Sequence, residues 1–360
     1  MKKIVTILGA RPQFVKAAVL SRIIKKHNNI EEIIVHTGQH FDSNMSAIFF
    51  DEMMIPKPKY NLEINNMSHG AMTGLMLLEI EKVLIEEVPD AVVVYGDTNS
   101  TIAGALAAKK MHIKVVHIEA GLRSFNMKMP EEINRIATDR ISDLLSCPTE
   151  TALDNLKKEG YDNLQILVEK HGDIMKDAAS YYGQFSKEKS SIIIDEKLQK
   201  NHFVLATIHR QENTDDEKKL RSIFLGLEEI HKTHTVILPM HPRTKSVLNK
   251  LSIHPKIQVI EPVGYYDMLE LLKNCSIVIT DSGGLQKEAF FNRKQTIVVR
   301  DETEWVELVS QGFAKVVGSN TKMILQTFDT FKATNKEFTV DLYGNNVGEK
   351  IYQSIYQLIH

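Results

Sequence analysis

Apolar residues along this chain come in short, β-branched blocks separated by longer amphipathic stretches. Residues 4–8, 33–36, 91–95, 115–118 and 144–147 are nearly charge-free, as strands buried on both faces of a parallel sheet must be. Between them the period lengthens. Pro12 opens a stretch with Val15, Val19 and Ile23 four residues apart, which predicts a helix, and 70–87 and 131–141 read the same way. The alternation pauses around Gly172-Asp173, and 182–201 is polar, lysine-rich and weakly periodic. It then restarts, with strands predicted over 203–207, 236–238, 257–260, 277–280 and 297–299. Two successive βαβ series predict two doubly wound α/β domains, 1–171 and 172–342, with a cleft between them. The remaining segment, 343–360, predicts a helix over about 347–358. It can pack on either domain, with a return to the first as the expectation.

Composition narrows the class. The length of 360 residues suits two domains, and 43% hydrophobic with 25% charged residues is ordinary for a globular chain. A formal net charge of −2 offers no polycationic surface for nucleic acid or anionic membrane. The only two cysteines, Cys147 and Cys275, sit among apolar residues. They make neither a disulfide framework nor a zinc spacing, so no metal is expected and the expected compartment is the reducing cytoplasm. The apolar start is broken by Arg11-Pro12 and reads as a first strand, not a signal peptide. No apolar run approaches the roughly 20 residues of a membrane span.

Candidate chemistry lies at the strand ends. Strand 91–95 runs into Gly96-Asp97-Thr98, and strand 115–118 into Glu119-Ala-Gly-Leu-Arg123. Ligands of open α/β sheets bind at the carboxyl ends of strands, so Asp97 and Glu119 suggest acid/base or charge-stabilising work. Capping of the next helix explains either acid alone equally well. In the second half, strand 277–280 ends at Thr280, and Ser282-Gly283-Gly284 then bends directly into a helix. Exposed N–H groups and the positive end of a helix dipole make such a bend an anion site. Glu288, one turn on, offers a carboxylate to a ribose. Arg11 and Lys16 flank a helix start after the first strand, where they can reach an anion or remain solvated. His209 and Arg210 end the first strand of the second series and are phosphate donors there. Glu131 follows Pro130 at a helix start, where the dipole alone accounts for it. Neither GxGxxG nor a Walker loop is present, so dinucleotide and ATP motifs are unmatched.

Taken together these segments resemble the non-hydrolysing UDP-N-acetylglucosamine 2-epimerases. The motifs are Gly9-Ala-Arg-Pro-Gln-Phe-Val-Lys16, Thr37-Gly-Gln-His40, Tyr95-Gly-Asp-Thr98, His117-Ile-Glu-Ala-Gly-Leu-Arg123, Pro130-Glu-Glu-Ile-Asn-Arg135, His209-Arg-Gln-Glu-Asn213, Asp281-Ser-Gly-Gly284 and Val299-Arg-Asp301. They span nearly the whole chain. The resemblance implies a GT-B fold, no cofactor, a UDP-sugar as the ligand and a homodimer. It implies acid/base work by Asp97, Glu119 and Glu131. It also implies a diphosphate held by Arg11, His209, Ser282, Gly283 and Gly284, with His209 counted in the catalytic set. Glu288 would hold the ribose, and Lys16 and Arg300 match further binding positions.

Departures from the common family pattern bear on the substrate. Gly-Thr-Arg-Pro-Glu is usual at the first loop, where Gln13 stands here in place of the glutamate. Thr-Glu-Arg-Pro-Glu is usual where this chain has Thr303-Glu-Trp-Val-Glu307. With His40-Phe-Asp-Ser-Asn-Met-Ser46 and 124–131, these resemble the branch that epimerises UDP-2,3-diacetamido-2,3-dideoxy-glucuronate in surface-polysaccharide synthesis. Lys128 could face the added sugar carboxylate or simply be solvated. UDP-GlcNAc is expected to be a poor substrate and no activator, because Phe41-Asp-Ser-Asn44 and Met67-Ser-His-Gly70 contain no arginine. The rival reading is a retaining GT-B glycosyltransferase. A non-catalytic UDP-sugar sensor is a further one.

Overall fold

The computed structural model describes residues 1–39, 55–334 and 336–360, without the side chain of Arg11. The chain forms two compact units, 1–178 with 341–360, and 179–340. The division near 178 falls inside a helix, Ile174–Gly183, and not at the Gly172 turn where the pattern of apolar residues pauses.

In the first unit seven strands form one sheet: β1 (Lys2–Leu8), β2 (Ile30–His36), β3 (Tyr60–Asn61), β4 (Ala91–Tyr95), β5 (Lys114–Ile118), β6 (Leu144–Cys147) and β7 (Leu167–Lys170). Their order is β3-β2-β1-β4-β5-β6-β7, and every pairing is parallel. The longer helices are α1 (Arg11–His27), α2 (His69–Glu87), α3 (Asn99–Lys110), α4 (Pro130–Ile141), α5 (Glu150–Lys158) and α6 (Ile174–Gly183). Val5, Ile7, Val35, Val92 and Val94 of the sheet pack against Met76, Ile80 and Leu84 of α2 and the small face Ala103, Ala107 of α3. This explains the charge-free strands: each has a neighbour on both faces.

The second unit repeats the plan with β8 (Phe203–Thr207), β9 (Thr235–Pro239), β10 (Gln258–Ile260), β11 (Ile277–Thr280), β12 (Gln295–Val298) and β13 (Ala314–Val316). Their order is β10-β9-β8-β11-β12-β13. Its longer helices are α7 (Glu217–His231), α8 (Pro242–Lys250), α9 (Tyr265–Asn274), α10 (Gly283–Phe291) and α11 (Thr321–Ala333). One sheet face meets Ile223, Leu227 and Ile324 of α7 and α11. The other meets Leu271 and Leu272 of α9 with Leu285 and Ala289 of α10. Both sheets reverse strand order at one point, between β1 and β4 and between β8 and β11, which is where such sheets open a crevice.

The final helix, α12 (Val347–Ile359), belongs to the first unit and lies on α1. A Cβ on Gly348 would stand 2.7 Å from Val19 Cγ1 and 2.6 Å from Ile23 Cδ1. Tyr352 donates to Asn29 Oδ1 at 2.5 Å. Where the chain returns, Gly172 has φ +105 and a Cβ there would meet Tyr343 O at 2.2 Å, so only glycine fits. Strands β3, β7 and β13 are not predicted by the apolar pattern. They are short edge strands, and β7 is exposed or half-buried throughout, so they carry no buried run.

Candidate active site

The loops at the first switch point are tied together by one amide. Gln13 Oε1 accepts from the backbone N–H of Gly9 at 2.7 Å and Ala10 at 3.0 Å. Its Nε2 donates to Tyr95 O at 2.7 Å and Thr98 Oγ1 at 3.0 Å. The β1–α1 turn is thus fixed to the β4–α3 turn. An ionised glutamate has no N–H to give Tyr95 O, so the amide matters here.

Asp97 follows directly. Gly96 turns the chain out of β4 with φ +62, and a Cβ on it would lie 3.2 Å from Glu119 Oε2. The Asp97 side chain is 31% exposed, and its Oδ2 accepts from Arg135 Nη2 at 2.5 Å. Asn134 Nδ2 donates to Asp97 O at 2.9 Å. Helix α4 therefore holds Asp97 by both its backbone and its carboxylate.

Glu119 sits in a left-handed backbone conformation, φ +73. For a non-glycine residue this costs on the order of 1–3 kcal/mol and tends to mark functional sites. The N–H groups of Glu119 and Ala120 both donate to Ser146 O, at 3.1 and 3.0 Å, which fixes the turn. The Glu119 carboxylate forms an ion pair with Lys16 Nζ. Lys16, expected among the binding residues, is thus already engaged with a candidate acid.

The two glutamates opening α4 differ sharply. Glu132 is fully buried and accepts from Ser124 N, Ser124 Oγ and Phe125 N at 2.9 Å each, and from Arg135 Nη1 at 3.0 Å. It pins the preceding loop. Glu131 is half-buried, and no described residue hydrogen-bonds its carboxylate. The helix has no side-chain cap bond at its N-cap, Met129. Lys128 is exposed.

In the second unit a buried carboxylate organises the loops at the β8/β11 switch point. Asp281 accepts from His209 N at 3.0 Å, Arg210 N at 3.0 Å and Asn213 Nδ2 at 3.1 Å. His209 Nδ1 is 3.1 Å from Asp281 Oδ1. Burial pushes the Asp281 carboxyl up, but His209 and the backbone donors outweigh it and leave it below the ordinary range. With Nδ1 on Asp281, Nε2 of the 35% exposed His209 side chain is left for a ligand.

Helix α10 begins beside this pair. Ser282 caps it, its Oγ accepting from Leu285 N at 3.4 Å. A Cβ on Gly283 would find Trp305 Nε1 at 3.6 Å, Glu304 Oε2 at 3.7 Å and Arg210 Nη2 at 3.8 Å, whereas one on Gly284 would meet nothing within 4 Å. The N–H groups of this turn, with Arg210 alongside, suit an anion. Glu288 is buried one turn on. Arg300 is only 1% exposed. Its Nη1 and Nη2 donate to Glu304 at 2.9 and 3.2 Å and its Nε to Glu212 at 3.1 Å. Burial pushes the Glu304 carboxyl up, but Arg300 overcomes this and lowers it to about 2. Trp305, in the place of the usual family arginine, takes the ammonium of buried Lys287 over its ring at 4.0 Å.

The structure thus joins Lys16 with Glu119 and gathers His209 with the Ser282–Gly284 turn through Asp281 and Arg210. The roles of Arg135, Asp281 and Gln13 in holding these groups are not visible in sequence, although each stands within a quoted motif. Residues 40–46, which bear on substrate choice and activation, lie outside the described residues, which stop at Gln39 and resume at Ile55.

Comparison with known proteins agrees with this geometry. The family model "UDP-N-acetylglucosamine 2-epimerase" matches residues 22–356. The chain is 51% identical over 343 residues to UDP-2,3-diacetamido-2,3-dideoxy-D-glucuronate 2-epimerase of Pseudomonas aeruginosa, covering 95% of this chain and 96% of that one. The fold matches Methanocaldococcus jannaschii UDP-GlcNAc 2-epimerase in complex with UDP-GlcNAc and UDP, with a TM-score of 0.91 at 40% identity over 99% of both chains. It also matches the Neisseria meningitidis UDP-GlcNAc 2-epimerase bound to UDP-GlcNAc, with a TM-score of 0.87 at 32% identity over 99% of this chain and 100% of that one. The chain therefore has the GT-B-like fold of these isomerases and belongs to the UDP-N-acetylglucosamine 2-epimerase family.

Proposed function

We propose that this enzyme inverts C2 of UDP-2,3-diacetamido-2,3-dideoxy-D-glucuronate, for surface-polysaccharide synthesis. The observation that carries the substrate is the 51% identity over 95% of the chain to the Pseudomonas aeruginosa enzyme of that name. The Trp305 and Gln13 replacements are consistent with it.

The proposed chemistry follows from what each unit supplies. The C2 proton of a sugar is barely acidic, because no carbonyl activates it. Departure of UDP from C1 leaves an oxocarbenium-like centre there and makes the C2 proton removable. The α10 turn, Arg210 and His209 stabilise the departing diphosphate, and Glu288 holds the ribose. Arg11 adds a cation at the opening of α1. The C2 proton passes to one of Asp97, Glu119 and Glu131. The product is a 2-acetamidoglycal and UDP. Re-addition of UDP to C1, with a proton delivered to the other face of C2, completes the inversion. Among the three, Glu131 has no protein partner among the described residues. Asp97 and Glu119 are each held by a cation, Arg135 and Lys16. The free, buried thiols Cys147 and Cys275 fit a cytoplasmic enzyme, and a homodimer is the expected assembly.

The test compares initial rates on the diacetamido-uronate and on UDP-GlcNAc, with no acceptor present. The uronate turning over and UDP-GlcNAc lagging well behind supports the proposal. Equal or faster turnover of UDP-GlcNAc refutes the substrate assignment. Turnover only when an acceptor sugar is supplied favours the glycosyltransferase reading.

A further inference from the structure

The first unit encloses a run of charged side chains that the proposed chemistry does not use. His117 and Asp139 are fully buried and Arg123 is 4% exposed. His117 Nδ1 lies 2.7 Å from Asp139 Oδ1. Asp139 Oδ2 accepts from Arg123 Nη1 at 2.7 Å and from Gly121 N at 3.2 Å. Arg123 continues to Glu159 at 2.7 and 2.8 Å. Buried charges are costly unless paired, so such a chain needs a purpose.

The second ring nitrogen shows what that purpose is. His117 Nε2 lies 2.7 Å from Gly96 O. A carbonyl oxygen only accepts. Asp139 also accepts, because His117 and Arg123 outweigh burial and hold its carboxyl below the ordinary range. His117 Nε2 is therefore the donor to Gly96 O. Gly96 N in turn donates to Ile118 O at 2.9 Å, so the Gly96 peptide is tied to β5 on both sides. Gly96 precedes Asp97, and His117 stands two residues before Glu119. Asp139 lies on α4 four residues beyond Arg135, which is itself four beyond Glu131, so the three share one helix face. A single imidazole links the three elements that carry Asp97, Glu119 and Glu131.

We propose that His117, oriented by Asp139, is a positioning residue whose bond to Gly96 O sets the Gly96–Asp97 turn and thereby places the Asp97 carboxylate. The catalytic part rests on the roles given above to Asp97 and Glu119. The bond itself is independent of them.

The two ring contacts can be separated by amide substitution. In His117→Gln the amide nitrogen falls near the former Nε2 and keeps a donor for Gly96 O. In His117→Asn it falls near the former Nδ1 and keeps only the bond to Asp139. His117→Asn should lower kcat by about tenfold or more relative to His117→Gln, as expected for a misplaced catalytic group. UDP affinity should be unchanged in both. Added to Asp97→Asn, His117→Asn should cost nothing further, because its effect acts through Asp97. Equal rates for the two variants, or a full multiplicative loss in the double variant, would overturn the positioning role. Hydrogen exchange at residues 96–98 reads the same bond without turnover, protection persisting in His117→Gln and falling in His117→Asn. Unchanged protection in both overturns the proposal whatever the activity. Wild-type protein labelled with ¹⁵N-histidine needs no variant to fold. It should show one slowly exchanging histidine with a proton on Nε2, and a ring with no proton on Nε2 there refutes the bond. Wild-type protein that shows these signals but epimerises neither UDP-sugar would leave the bond standing and remove the functional reading.

Discussion

Lys16 on α1 and Glu119 at the end of β5 form an ion pair across 103 residues of sequence, with side chains only 7% and 14% exposed. The pair neutralises a carboxylate that stands in a left-handed turn. It also brings the first helix to the end of the third strand in the order β1-β4-β5. Removing one partner takes a counter-charge from the other in a mostly buried place, which is costly, whereas removing both charges is not. Lys16→Met should therefore destabilise the first unit by about 3 kcal/mol, and Lys16→Met with Glu119→Gln should regain most of that. Urea midpoints of the wild type, the single variant and the double variant check this. A single-variant loss below about 0.5 kcal/mol, the range of an ordinary surface change, would show that the pair contributes little.

Asp97→Asn, Glu119→Gln and Glu131→Gln should each lower kcat by at least about 10²-fold, the low end for acid/base groups. UDP should still bind, since its donors are assigned to the second unit. Steady-state rates with calorimetric UDP titration separate the two effects. Near-normal turnover in any one variant removes that residue from the chemistry. Glu131 is the most informative, because Glu132 already performs the structural work at this helix start.

Glu288 is buried one turn beyond Gly284 on α10. If it holds the ribose, Glu288→Ala should weaken UDP by about tenfold, as loss of a hydrogen bond to a charged group does. The same change should affect free pyrophosphate little. Equal weakening of both ligands in a competition titration would assign Glu288 to shaping the helix start instead.

Glu304 supplies a pH dependence. Its folded pKa of about 2 lies below its unfolded value of about 4.3. Its pairing with Arg300 therefore stabilises the fold fully above the unfolded value, and that contribution is lost as pH falls toward 2. Denaturant melts should show Glu304→Gln less stable than wild type at pH 7 by an amount that stays constant down to about pH 5 and then shrinks. A difference that is flat from pH 7 to pH 3 would show that the charge of Glu304 is not what the interaction uses.

Much of this architecture was legible because the central strands are buried on both faces. β1, β4, β5, β8 and β11 announce themselves as apolar runs, and Asp97 and Glu119 are conspicuous because each ends one. The edge strands β3, β7 and β13 have no such run to show. The supporting side chains were hidden for a different reason. Gln13, Arg135, Asp139 and His117 act through partners 16 to 88 residues away, and a helical or strand period reports a face, not its partner. His117 was additionally masked by lying inside the apolar run of β5. Its place two residues before Glu119, next to the end of the strand that delivers that acid, is the signal that could have drawn attention to it. Lys16 illustrates the same limit from the other side. A cation on a first turn suits an anion in solution, and only the fold shows that it meets a glutamate.

Epimerisation by removal and return of the C2 proton is the central claim, and the solvent carries its record. Purified enzyme incubated in D₂O with UDP-2,3-diacetamido-2,3-dideoxy-D-glucuronate should give a C2-inverted product with deuterium at C2, read by proton NMR as loss of the H2 signal and collapse of its coupling to H1. Inverted product that retains the substrate's own hydrogen at C2 would contradict the account.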